Sequence, residues 1–244
     1  MWGCLFIGPQ FLGLICFSLL PLLYAFYLSF VNWDGFGVPV FAGLDNFRGQ
    51  LADPDFWKAL INTVYYMVLV IPAGIALALL VAIVLNKVKG KEIYRLFFFM
   101  PVVTSSVSVG VIWMWILNGE FGIFNHLLRA IGIIGPMWLT DTHWVIPSIA
   151  LLSIWLGLGY NMVIFLAGLQ GISKSYYEAA EIDGASKLQQ LRYITLPLLS
   201  PTTFFVTIMM VISSFQVFDQ AFVIILVFTL LQFKMQKRWV HYGD

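Results

Sequence analysis

Hydrophobic residues run along the chain in long stretches, and short polar connectors separate these stretches. A helix needs about 20 mostly apolar residues to cross the hydrocarbon layer of a membrane. Five stretches reach that length, at residues 5–30, 62–85, 96–117, 144–170 and 198–218. The pattern therefore predicts an all-α membrane protein, with residues 1–244 forming a single transmembrane domain.

The composition supports a lipid environment. Hydrophobic residues make up 61% of the chain and charged residues 10%, whereas a soluble domain has about 25% charged residues. So few charges cannot cover the surface of a soluble globule. The net charge of +1 also argues against nucleic acid as a partner.

The basic residues predict how the spans are oriented. Three segments hold ten of the 13 Lys and Arg residues: 86–95, 171–196 and the tail after Phe233. Because cytoplasmic loops of membrane proteins are enriched in Lys and Arg, we expect all three segments in the cytoplasm. The protein is then multi-pass, with the 171–197 loop and the C-terminus inside.

The end of the chain is short for this arrangement. The chain must cross twice between residues 198 and 233, and two spans need about 40 residues. The last segment, 221–233, is therefore expected to be a partial span, a truncated last helix. We favour missing residues between Phe222 and Ile224, and the sequence leaves open whether Met1 is the true start.

The 171–197 loop is polar and helix-prone. Ser173 or Ser175 is suited to cap a first helix, and Gly184 to end it, since glycine tolerates the left-handed conformation after a helix. A second helix is predicted from Lys187 to Tyr193, and Pro197 is expected near the first turn of the next span. This helix–turn–helix is either a docking element for another protein or an interfacial hairpin without a partner.

The spacing of particular residues in this loop matches a known sequence motif. It resembles the EAA motif of permease subunits of binding-protein-dependent ABC importers, at Glu178, Ala179, Ala180, Gly184, Ile194, Leu196 and Pro197. Stretches such as "FVNWDGFG", "FFMPVVTSSVSVG" and "SIWLGLGYNMVIFLAGLQ" extend the resemblance along the chain. The whole is similar to the sugar-importer permeases of the maltose and glycerol-3-phosphate type. The chain departs from that family near its end, where a glycine-rich external loop is expected.

The resemblance implies a six-helix-type permease fold in a bacterial or archaeal cytoplasmic membrane. It implies that the loop is a coupling helix seated in an ATPase cleft, with contacts or exit residues at Glu178, Ala179, Ala180, Asp183, Gly184, Ile194, Leu196 and Pro197. The implied partners are a second permease subunit in a heterodimer, two ATP-binding subunits, an extracytoplasmic solute-binding protein and membrane lipid.

A polar stripe on the fourth span predicts part of a solute pathway. Ser153, Gly157, Tyr160 and Asn161 follow helical spacing on one face, and a tyrosine can both stack on a sugar and hydrogen-bond it. Ser213 and Gln216 share a face of the fifth span. Small and polar residues also hold membrane helices together, so helix packing is the alternative interpretation.

The sequence offers no machinery for catalysis or energy supply. It contains no P-loop, so we expect ATP and Mg²⁺ in a partner ATPase and no cofactor on this chain. No catalytic or metal-binding residues are predicted, because His126, His143 and His241 are isolated. The first four spans have no charged residue in their cores, which disfavours an ion-coupled carrier. That carrier and a non-transporting scaffold remain the alternatives to an importer permease.

Overall fold

The computed structural model describes residues 2–216, with side chains from residue 7 onward except at 106 and 107. The chain divides into two compact units, Met1–Ile61 and a second that starts at Asn62. The partial span expected at 221–233, and the gap favoured between Phe222 and Ile224, lie outside the described residues.

The first unit consists of an apolar helix followed by a small hairpin. Its elements are α1 (Trp2–Leu14), a π-helical turn (Ile15–Leu19), α2 (Leu20–Leu28), β1 (Val31–Asn32), β2 (Val40–Phe41) and α3 (Asp45–Ala52). Residues Ile7–Leu28 form a helix of 22 residues that is apolar enough to cross a membrane. This helix agrees with the span predicted at 5–30.

The hairpin is antiparallel, with Val31 opposite Phe41. The Asn46 side chain donates to the carbonyl oxygens of Ser29 and Val31, at 3.1 and 3.0 Å. These bonds fix the turn between α2 and β1 to the start of α3, because they satisfy two backbone acceptors with one amide.

The other helices are longer on average and carry the predicted site residues. They are α4 (Pro54–Lys87), α5 (Lys91–Val103), α6 (Ser106–Ile116), α7 (Ile123–Ala130), α8 (Val145–Gln170), α9 (Lys174–Ile182), α10 (Lys187–Gln190), a π-helical turn (Leu191–Thr195), α11 (Leu196–Leu198) and α12 (Ser200–Phe215). Both α4 and α8 are long and apolar enough to span a membrane, as predicted at 62–85 and 144–170.

Two predicted spans differ from the straight helices expected. The stretch predicted at 96–117 consists of α5 and α6, which meet at 97°. Thr104 ends α5 in an extended conformation, and its hydroxyl donates to the carbonyl of Met100 at 3.0 Å. Such side-chain bonds compete with the helical pattern. The stretch predicted at 198–218 is α12, of which residues up to Gln216 are described, and a 63° bend precedes it at Leu199.

The core of the second unit lies between α4, α8 and α12. Its buried members are Ala78, Ala82, Leu85, Met162, Phe165, Leu166, Leu169, Leu199 and Val206. Helix α5 also packs closely on α8 at Gly159, where a Cβ atom would collide with the carbonyl oxygen of Phe98. Glycine at this position lets the two backbones touch, which is how small residues act in membrane helix packing.

Candidate functional site

The 171–197 loop folds into the predicted helix–turn–helix. Helix α9 starts at Ser173, whose hydroxyl accepts from the amide of Ser175. It ends at Gly184, which has a φ of +77°. The amides of Gly184 and Ala185 donate to the carbonyls of Glu181 and Ala180, at 3.1 and 2.8 Å. This is the Schellman arrangement that a glycine after a helix favours, so the role predicted for Gly184 as the helix stop is confirmed.

The second half of the loop differs from the prediction. Helix α10 begins with a capping box in which Ser186 and Gln189 exchange side-chain and backbone bonds. The helical path then continues through the π turn and α11 to Leu198. The second helix therefore extends beyond the end predicted at Tyr193, whereas Pro197 lies near the start of the next span, as expected. Pro201 lies in the first turn of α12, and Pro197 lies before the bend.

Side-chain bonds hold the two halves of the loop together. The Tyr177 hydroxyl on α9 bonds the Thr195 hydroxyl at 2.9 Å. Thr195 is buried and also donates to the carbonyl of Gln190 at 3.3 Å. Buried polar groups that are satisfied in this way rigidify a structure, so we treat α9 and the helix that follows it as one structural unit.

An ion pair adds to this link. The Lys187 ammonium donates to the Glu181 carboxylate, across the Gly184 turn. This hydrogen bond, together with the positive charge, lowers the pKa of the Glu181 carboxyl below its usual value. Both side chains are exposed, and exposed pairs contribute little to stability. The pair serves mainly to orient the turn.

The structure brings most of the predicted coupling residues to one exposed turn. Glu178, Ala179, Asp183 and Gly184 are exposed, and Ala180 is half-buried. Ala180, Asp183 and Gly184 line a hollow of about 300 Å³ together with Tyr193 and Ile194. Leu196 and Pro197 lie beyond this hollow, on the helix that leads to the 63° bend.

The same loop exposes large apolar side chains that the motif does not include. Ile182 is 87% exposed and Leu188 is 73% exposed. Such residues are costly to leave in water, and when clustered they mark contact surfaces.

The predicted stripe on α8 is a mixture of buried and exposed groups. Asn161 is buried, and its side chain has no hydrogen-bond partner among residues 7–216. Its amide nitrogen would lie 3.6 Å from a Cβ atom on Gly157, so glycine leaves room beside it. The Ser153 hydroxyl is buried without a hydrogen bond among the described residues. Tyr160 is 45% exposed.

The predicted residues on α12 lie near the end of the described chain. Ser213 and Gln216 are exposed, whereas the neighbouring Ser214 is buried and donates to the carbonyl of Met210 at 2.8 Å. Within the described part of the chain, no hydrogen bond joins Ser213 or Gln216 to the stripe on α8. The structure therefore shows no hydrogen-bonded link between the two predicted groups.

Sequence reasoning missed the residues that hold the loop in shape, Tyr177, Gln190 and Thr195. Their contacts depend on how the helices of the loop pack, which local sequence patterns do not reveal. Across residues 2–216, no group of three or more His, Cys, Asp or Glu side chains is placed to hold a metal ion.

Comparison with known proteins identifies related membrane components of transport systems. The profile of the family described as "Binding-protein-dependent transport system inner membrane component" matches residues 72–237. The probable ABC transporter permease protein YesP of Bacillus subtilis is 38% identical over 91% of this chain and 72% of its own length. The lactose transport system permease protein LacF of Rhizobium radiobacter is 37% identical over 90% of this chain and 74% of its own.

Solved structures share the fold. A chain from a bacterial ABC transporter that imports the acidic polysaccharide alginate has a TM-score of 0.70 and 24% identity, covering 83% of this chain and 69% of the other. A chain from a bacterial alginate ABC transporter in complex with an alginate pentasaccharide-bound periplasmic protein has a TM-score of 0.68 and 25% identity, covering 81% of this chain and 67% of the other.

Proposed function

Since this chain belongs to the family of inner membrane components of binding-protein-dependent transport systems, we propose that it is the permease subunit of an ATP-driven importer of sugars. Oligosaccharides or related solutes are the proposed cargo, carried by alternating access across the cytoplasmic membrane. The observation that carries the proposal is the exposed turn around Gly184, built between two rigidly joined helices. The proposed sugar cargo is supported by the lactose transport function of the relative LacF.

The exposed turn is the proposed contact with the ATPase. Glu178 and Asp183 offer carboxylates, and Ile182 and Leu188 offer apolar surface that water would otherwise cover. A turn held by its own hydrogen bonds can transmit a displacement to α8 and α12, because little of the motion is lost in deformation. In this proposal, two copies of the ATPase bind ATP and Mg²⁺ and carry out the hydrolysis.

Two observations together support the proposed orientation. Residues of the 86–95 connector and of the 171–197 loop line one cavity, including Lys87, Lys91, Lys174 and Lys187. The two basic segments therefore lie at the same end of the helices. By the positive-inside rule we assign that end to the cytoplasm, which leaves the opposite end for an extracytoplasmic solute-binding protein. A second permease subunit completes the proposed pathway.

The solute contacts are proposed on α8. Asn161 is a buried residue whose amide has unused hydrogen-bonding capacity, and Gly157 leaves space beside it. Tyr160, the residue before Asn161 on α8, presents an exposed ring. A sugar offers both hydroxyl groups and apolar ring faces, so an amide next to an aromatic ring suits its chemistry. Ser153 extends the stripe, and Ser213 and Gln216 are the proposed contribution of α12.

Uptake of labelled sugar by proteoliposomes that contain the assembled transporter tests the proposal. We expect uptake that requires ATP and persists when ion gradients are abolished. Tyr160→Ala should reduce uptake at least tenfold, about 1.4 kcal/mol in the transport barrier, with the ATPase still bound. Tyr65→Ala, which removes an equally exposed tyrosine from α4, is the control and should keep wild-type uptake. Uptake that follows an ion gradient without ATP would contradict the proposal.

A further inference from the structure

A cavity of about 960 Å³ lies between the ends of α4 and α8, the start of α5 and the 171–197 loop. Four lysines line it: Lys87, Lys91, Lys174 and Lys187. The hollow beside Gly184 shares only Gln190 with this cavity, and of the residues proposed above for the ATPase contact only Leu188 also lines it.

Three of the four lysines have no counter-charge among the residues that the structure describes. Lys187 is paired with Glu181, whereas Lys87, Lys91 and Lys174 form no ion pair with any described residue. No Asp or Glu is among the residues that line the cavity, and Glu92, in the first turn of α5, is exposed. Several positive charges around one cavity repel each other, so an anion that enters is stabilised by all of them.

The backbone of α5 adds to the positive potential in the cavity. Helix α5 is 13 residues long and begins at Lys91, after Gly90, which provides no side-chain cap. The amides of its N-terminus carry a partial positive charge that Glu92 in the first turn offsets in part. Lys91, its first residue, is half-buried and lines the cavity. The buried side chain of Gln190 and the hydroxyl pair of Tyr177 and Thr195 provide neutral hydrogen-bonding groups in the same wall.

The remaining wall is aliphatic. Ile83, Leu169, Ile172, Leu188 and Leu191 line the cavity alongside the lysines. Ile83 and Leu169 lie in the last turns of α4 and α8, where apolar spans give way to polar connectors. The cavity therefore presents cations and apolar surface together, at the depth where lipid headgroups meet acyl chains.

We propose that this cavity binds the phosphate-bearing headgroup of an anionic phospholipid, with its glycerol and upper acyl carbons on the aliphatic wall. The leaflet follows from the proposed function, which places this end in the cytoplasm, but the binding itself does not depend on it. A free phosphate would use the lysines and leave the aliphatic wall in water. Because the lining is both cationic and aliphatic, it favours a phospholipid over free phosphate.

Native mass spectrometry of the purified transporter, with phosphatidylglycerol as the probe, tests the proposal. A lysine near an anionic lipid surface contributes about 1 kcal/mol, or roughly a fivefold change in affinity. We expect Lys91→Gln and Lys174→Gln each to lower the retention of phosphatidylglycerol about fivefold. Lys89→Gln is the matched control, because Lys89 lies in the same connector, is exposed and does not line the cavity.

Two further arms identify the source of the phosphate and separate this proposal from the previous one. Phosphatidylcholine should not replace phosphatidylglycerol, and inorganic phosphate should not displace it. Displacement by inorganic phosphate, or equal retention by Lys91→Gln, Lys174→Gln and Lys89→Gln, would overturn the lipid assignment. ATPase subunits are counted in the same spectra, so failure of the coupling proposal would appear as their absence whatever the lipid result.

Discussion

At the scale of single residues, Tyr177 links the two halves of the 171–197 loop. Its hydroxyl lies 2.9 Å from the Thr195 hydroxyl, and Thr195 in turn bonds Gln190. Tyr177→Phe removes one such bond and keeps the ring. We expect a loss of about 1 kcal/mol in local stability, seen as faster amide hydrogen exchange in α9.

Tyr176→Phe provides the comparison for this prediction. Tyr176 is 55% exposed on the same helix, and the substitution removes the same hydroxyl group from a solvated position. Exchange in α9 should stay at the wild-type rate. If both substitutions accelerate exchange equally, the bond to Thr195 does not hold the loop.

The contrast between Tyr177 and Gly184 explains what a sequence can and cannot reveal at this scale. The role of Gly184 was predictable, because a positive φ after a helix is a local property that favours one residue type. The bond from Tyr177 to Thr195 spans 18 positions, and depends on how two helices pack. Likewise, the burial of Asn161 and the exposure of Tyr160 depend on neighbouring helices, although both share a predicted stripe.

At the scale of helices, close backbone contact joins α5 to α8 at Gly159. Gly159→Ala would place a methyl group against the carbonyl oxygen of Phe98, so α5 must move away. Overpacking of this kind costs about 1–3 kcal/mol. We expect a lower midpoint in thermal unfolding of the purified protein. The higher helix propensity of alanine should not compensate for this loss of stability.

Gly157→Ala is the matched control, two residues away on the same helix. The nearest side chain to its Cβ would be Asn161, at an ordinary contact distance of 3.6 Å. Because alanine favours the helix by up to about 1 kcal/mol over glycine, this variant should be at least as stable as wild type. A Gly159→Ala variant of equal stability would show that α5 and α8 are not in backbone contact.

The predicted helices were most accurate where the apolar run was uninterrupted. Spans at 62–85 and 144–170 correspond to α4 and α8, because length and hydropathy are sufficient to define such helices. The bends at Thr104 and Leu199 were missed. Ser and Thr are compatible with helices in membranes, so composition alone does not reveal where side-chain hydrogen bonds break the path.

At the scale of the whole molecule, the lysine cavity and the Gly184 turn place two sites on one loop. One wall of the cavity consists of Lys174, Tyr177 and Lys187, and the helices on which they lie flank the exposed turn. Lipid bound at the cavity would therefore touch the element proposed to move with the ATPase. The sequence indicated the basic character of both segments but not that they share a cavity, since residues 87 and 187 are brought together only by folding.

The central claim is that the Gly184 turn couples this chain to an ATPase. The most direct measurement is affinity purification of the tagged chain from membranes, with bound subunits identified and counted. The wild type should retain ATP-binding subunits and a second permease subunit. Gly184→Arg should lose the ATP-binding subunits and stay in the membrane, because an arginine both strains the left-handed turn and occupies the docking face.

Gly132→Arg separates strain from docking. Gly132 has a φ of +81° and, like Gly184, open space around its missing Cβ, but it lies in the loop between α7 and α8. We expect this variant to keep the ATP-binding subunits. If Gly184→Arg retains them as the wild type does, or if both arginine variants lose them alike, the Gly184 turn is not the coupling contact.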